Sequence, residues 1–188
     1  LAYEVCRFFT KTIASYTDDT NNETDDDETG KVGLIANVLW ALAKLPQLLG
    51  EIAKKQEKVF INEILRVLEQ SNGIANMNGR QASTILWSLA KIGDVVGFED
   101  TGIKSTFEHF SRTHFCDARS SLFFKTKTDA RSFSMILWAF SNGVPDVATN
   151  ERAKDVFEFA HKDLRKENFI DVFNACLLYT SPSPRDRG

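Results

Sequence analysis

Leu34-Ile-Ala-Asn-Val-Leu-Trp40-Ala-Leu-Ala-Lys-Leu45 is followed by two close copies, Gln81-Ala-Ser-Thr-Ile-Leu-Trp87-Ser-Leu-Ala-Lys-Ile92 and Ser132-Phe-Ser-Met-Ile-Leu-Trp138-Ala-Phe-Ser-Asn-Gly143. The three overlay without gaps. Each carries an aliphatic-Leu-Trp core, then a small residue, an apolar one and another small one. A shorter fourth copy, Asn168-Phe-Ile-Asp-Val-Phe-Asn-Ala175, holds Asn174 in the Trp slot. The Trp-to-Trp spacings are 47 and 51 residues, and the step to Asn174 is 36. Self-similarity at such a period is the mark of a helical repeat whose units bury their apolar faces against one another.

At 3.6 residues per turn, Val38, Leu39, Leu42 and Leu45 fall on one core stripe, with Trp40 at its edge beside Ala36 and Ala43. Small residues there admit a neighbouring helix, and the indole is expected to fill the gap between layers. Trp40, Trp87 and Trp138 thus read as the structural signature of the repeat, with base stacking as the alternative. Between the signature helices lie second amphipathic segments: Val59 to Glu69, Ile103 to Phe115 and Ala153 to Leu164, with Phe107, Phe110 and Phe157 among their anchors. Gly93 and Gly143 stand where a left-handed helix cap belongs, Pro46 stops the first copy, and Asn72-Gly73 stops the helix after it. No segment alternates as a strand does. The expected fold is all-α, an α-solenoid of stacked helical hairpins.

Residues 1–16 read as the end of a preceding repeat, and residues 31–175 as about three and a half hairpins. Residues 17–30 hold seven acids (Asp18, Asp19, Glu23, Asp25, Asp26, Asp27 and Glu28) and lack apolar residues, which predicts a disordered insertion. Removing those seven negative charges from a net −3 leaves +4 on the rest of the chain. That body is basic enough to permit a polyanionic partner. Residues 176–188 break the amphipathic pattern and read as the translation of a sequencing-library adaptor, to be set aside from fold and function.

Other function classes find little support. No apolar stretch approaches the roughly 20 residues that span a bilayer, so a soluble chain without a membrane partner is expected. Cys6, Cys116 and Cys176 are too scattered for a disulfide framework or a paired-Cys zinc site. His109, His114 and His161 lack partners at metal-ligand spacing, and His114 with Cys116 lacks a third group to orient a nucleophile pair. With no phosphate loop and no His-Glu-x-x-His, neither catalysis, metal nor cofactor is expected. Asn22-Glu23-Thr24 fits a glycosylation sequon but comes with no sign of secretion.

Positions seven and three before each Trp, and one and four after it, share a helix face. They are Gly33, Asn37, Ala41 and Lys44 in the first copy, then Arg80, Thr84, Ser88 and Lys91, then Arg131, Met135, Ala139 and Asn142. In a stacked array these line up with cations at the ends and small or polar groups between. Single-stranded RNA needs that arrangement, with cations for phosphates and polar groups for base edges. The candidate RNA-binding residues are therefore Asn37, Lys44, Arg80, Thr84, Ser88, Lys91, Arg131 and Asn142. An ordinary solvated helix face is the alternative.

The stretch Ala36 to Leu45 resembles the signature helix of octotricopeptide-type repeats. It is similar also to that of heptatricopeptide and RAP-domain proteins and of RNA-editing substrate-binding complexes. Thr84 to Gly93 repeats the match, and Met135 to Phe140 does so more loosely. The resemblance implies a mitochondrial or plastid RNA-binding factor in processing, stability, translation or editing, with single-stranded RNA and other proteins of an RNA-processing complex as partners. The spacings exceed the unit that the family's name implies, and no RAP-like domain is visible. A protein-interaction scaffold of the HEAT or armadillo kind is the competing expectation.

Overall fold

A computed structural model describes residues 25–54, 58–70, 73–98, 102–115, 128–143, 154 and 156–158. Seven helices lie among them: α1 (Asp25–Ala43), α2 (Pro46–Lys54), α3 (Lys58–Gln70), α4 (Gly73–Asn76), α5 (Gly79–Val96), α6 (Ile103–His114) and α7 (Ala130–Gly143). No strand occurs among the described residues, as the sequence leads one to expect. The three signature segments lie in α1, α5 and α7, save that Lys44 and Leu45 of the first follow the end of α1; the segments from Val59 and Ile103 are α3 and α6. The fourth copy, residues 1–16 and residues 176–188 lie outside the described residues, as do Cys6, Cys116, Cys176 and His161; of the segment from Ala153, Lys154 and 156–158 are described, and they are helical.

Local chemistry explains where the signature helices begin. The side chain of Asn78 accepts from the Gln81 backbone N–H at 2.9 Å, while the Gln81 side chain accepts from Asn78 N–H at 2.9 Å. This reciprocal capping box satisfies two donors that α5 would otherwise leave open. In α7 the Asp129 carboxylate accepts the Ser132 N–H at 2.7 Å. The two helices start in the same register, eight residues before their Trp. α1 starts earlier, at Asp25, so Asp25 to Gly30 are helical rather than disordered. Four acidic residues open this helix, at the end where the peptide dipole favours negative charge.

Other boundaries depart from the sequence reading in ways that physics explains. α5 runs past Gly93 to Val96, and the left-handed residue is Gly97, with φ +87°. Gly93 lacks a side chain for another reason: a Cβ there would fall on the Phe98 ring as the chain folds back. Gly143, the last residue of α7, is also a packing glycine, since its Cβ would lie 2.7 Å from Phe107 and 3.0 Å from Ala90. Leu45 is 51% exposed instead of core, because α1 ends at Ala43 and Leu45 sits in the turn before Pro46. Pro46 both stops α1 and starts α2, an element that the sequence reading passed over; its missing N–H costs nothing in a first turn. Asn72 lies outside the described residues, and Gly73 opens the short helix α4 after α3 has ended at Gln70.

Packing centres on α5, which lies against both α1 and, most extensively, α7. The neighbours run parallel. Gly33, midway along α1, faces Gln81 near the front of α5 while Lys44, just past the end of α1, reaches Trp87 further along it, and Ala90 near the back of α5 meets Gly143 at the end of α7. α6 packs against α5 and α7, and α3 against α1. Phe107 of α6 meets Phe140 of α7 edge-on, centroids 5.1 Å apart at 85°. Phe110 and Phe115 close around the same ring at 6.3 and 6.2 Å. Leu39, Leu86, Leu89, Ile136, Ile61 and Leu68 complete one continuous core.

Polar ties fasten the second helices to this core. Asn62 of α3 accepts the Gly102 N–H at 2.9 Å, capping α6 from another helix. His114 points Nε2 at the Ile74 carbonyl, 2.6 Å away and buried, where only a ring N–H can donate. On the outside of α3, the Arg66 fork pairs with the Glu63 carboxylate, which holds Glu63 below its usual range, chiefly through that hydrogen bond. Two substitutions test this account by urea unfolding. Gly143→Val should cost about 1–3 kcal/mol by driving a side chain into Phe107 and Ala90. Asn78→Ala should cost about 1 kcal/mol by opening the capping box.

Candidate nucleic-acid interface

A Trp on one face of a helix and a Lys four residues later lie about 40° apart around the axis. Side chains lean back toward the helix N-terminus, so the Lys returns to the level of the Trp one turn earlier. In parallel neighbours this brings the Lys of one repeat to the Trp of the next. The Lys44 ammonium lies 5.0 Å from the centroid of the Trp87 ring and 5.8 Å from that of Trp40. One repeat on, the Lys91 ammonium lies 4.6 Å from the Trp138 centroid. The Trp87 and Trp138 rings approach to 6.3 Å, tilted by 36°.

The indoles therefore line the outer edge of the helix junctions, with Trp40 the most open to solvent. Trp40 is 48% exposed, and Trp87 and Trp138 are half-buried. The expectation of a buried spacer is corrected for Trp40, whereas Trp87 and Trp138 meet between α5 and α7, with Trp138 packed against the core. Small residues fill the inner positions instead: Ala36, Ser83 and Ser134, four before each Trp, are all buried. Among the described residues the third copy carries no such Lys: Asn142 stands in its place and turns its amide to the Trp138 carbonyl at 2.8 Å.

The predicted stripe divides. Asn37, Lys44, Arg80, Arg131 and Asn142 are exposed, and Thr84 and Lys91 are partly so. Ser88 is fully buried and donates its hydroxyl to the Thr84 carbonyl at 2.7 Å, so it is not available at the surface. Ala139 in the same slot is buried as well. The cause is angular: one residue past the Trp is 100° around the helix, already turned toward the adjacent helix. Thr84 is half committed, its hydroxyl donating to the Arg80 carbonyl at 2.9 Å.

What remains is a narrow face on three adjacent helices. It carries the indoles of Trp40, Trp87 and Trp138 and the cations Lys44, Arg80, Lys91 and Arg131, edged by Asn37 and Asn142. Asp94 is the exposed carboxylate toward the far end of α5. Interleaved cations and aromatic faces can take up phosphates and flat heterocycles together. Among the described residues no group of three or more His, Cys, Asp or Glu is placed to hold a metal ion, and no helix is long and apolar enough to cross a membrane.

Lys91→Ala should leave stability within about 1 kcal/mol, the usual worth of an exposed cation–π contact. It should also raise acrylamide quenching of tryptophan emission by uncovering Trp138; unchanged quenching would show that the contact is not kept in solution. No family model, curated protein or solved structure matches this chain.

Proposed function

We propose that the chain is an RNA-binding helical repeat protein, an α-solenoid whose signature helices present single-stranded RNA with one cationic, aromatic face. The observation that carries the reading is the contact of Lys44 with Trp87 and of Lys91 with Trp138 across neighbouring parallel helices, with Arg80 and Arg131 exposed toward the front of the same helices. Repetition matters here. A solvated face has no need to keep a Lys and a Trp at the same offset in successive units, whereas a polymer with a repeating charge is matched by a repeating site. The likeness of the signature helix to octotricopeptide-type repeats agrees with this function. It adds a mitochondrial or plastid setting, in transcript processing, stability, translation or editing.

Replacing Lys44, Arg80, Lys91 and Arg131 together by Gln is the direct test. Single-stranded RNA affinity should fall, and the slope of log affinity against log salt should shrink by about 3, from four lost phosphate contacts at roughly 0.7 each. Circular dichroism should remain that of the parent. A folded quadruple variant that binds RNA like the parent at every salt concentration would assign this face to something else, a protein partner foremost.

A further inference from the structure

Resting on the RNA-binding reading, we infer that the gap over Trp40 and Trp87 is a base-stacking slot, which the Lys44 ammonium occupies in the free protein and yields to a nucleobase. The two ring contacts of Lys44, at 5.8 and 5.0 Å, lie toward the outer end of the roughly 6 Å range over which a cation is attracted to an indole. The ammonium is therefore loosely held. It rides on a flexible four-carbon stem that can swing it elsewhere without moving the helix.

The second rung differs. Trp87 and Trp138 are already in ring contact at 6.3 Å, and Lys91 sits closer to its ring, at 4.6 Å. That pair forms the closed end of the row, and the first rung is the open one. Trp40 is the most exposed of the indoles, and it is one of the few large apolar side chains that the described surface leaves in water.

The occupant follows from what surrounds the slot. Lys44 borders it, and Arg80 lies on the same face of α5, seven residues before Trp87 and so within about 20° around the axis. Asn37, exposed, lies one turn before Trp40 on α1. A flat ring joined to a negative backbone meets the indoles and Lys44 together, and its neighbouring phosphates can reach Arg80, about 10 Å along α5 from Trp87. The base takes the indole face, the displaced Lys44 ammonium moves to a phosphate, and the Asn37 amide faces a base edge. Each contact in the free state is replaced by a stronger one, since a base stacks on an indole over a wider area than an ammonium does and a phosphate carries full charge. An acidic peptide would satisfy the cations while leaving the indoles bare.

The experiment compares two RNA probes of equal length and charge on the 188-residue chain, a uridine homopolymer and its fully abasic counterpart. The parent should bind the uridine probe more tightly and show quenched tryptophan emission with it, but not with the abasic probe at saturation. Trp40→Leu should weaken the uridine probe about tenfold and leave the abasic probe unchanged, and Trp40→Phe should restore most of the loss. Equal weakening of both probes, or of neither, would overturn the slot while leaving RNA binding by the cations intact. Binding of neither probe by the parent would overturn the RNA reading as well. The quenching comparison needs no substitution, so equal quenching by both probes also rejects the slot whatever the variants do.

Discussion

The parallel contact of α5 with α1 and α7 is the constraint on which the other features depend. It requires close approach, and the sequence supplies it with residues that have little or no side chain. Ser88 and Ala139 are fully buried one residue past their Trp, and Ala90 meets Gly143 where no larger pair would fit. At the front of α5, a Cβ on Gly79 would collide with Thr128 of the segment leading into α7. The steric fit sets spacing as well as register. Small residues hold the middle of the seam, and the indoles sit toward its edge, half-buried at Trp87 and Trp138 and exposed at Trp40.

The outer layer answers a different need. Phe107, Phe110 and Phe115 gather around Phe140, and the long-range cap from Asn62 to Gly102 fixes where α6 begins. Apolar burial there is non-directional and could tolerate sliding, whereas the hydrogen bond admits one position. His114 acts similarly, its ring N–H committed to the Ile74 carbonyl. A histidine that looks chemically interesting in the sequence is thus a joint between α6 and α4.

Helix type and order were legible because apolar residues at helical spacing recur with the same signature, and α1, α5 and α7 carry the Trp of all three copies. Boundaries were less so. Gly93 and Gly97 are both plausible stops, and only the return of Phe98 over the helix tells them apart. Pro46 was read as an end when it is equally a beginning. The site was half legible. Periodicity placed Lys44, Arg80, Lys91 and Arg131 on one face, but it could not place Ser88, whose burial depends on how near the neighbouring helix comes. The small residues Ala36 and Ala43 beside Trp40 suggest a gap that the indole would fill, which misplaces Trp40. The signal against it was the Lys four residues after Trp40 and again after Trp87, which makes sense beside an indole only at a wet edge.

Each rung of the ladder is owned jointly, since Lys44 belongs to one repeat and Trp87 to the next. Each such contact is thus offset from the sequence copies and straddles two neighbouring signature helices. Exchanging the surface residues of one signature helix would therefore change two contacts at once, because α5 contributes Trp87 to one side and Lys91 to the other. Asn142 shows the effect among the described residues: a single residue at the trailing position takes the place of the cation without disturbing the helix that carries it. Diversity at that one position can alter the charge pattern along the array while the framework beneath it stays the same.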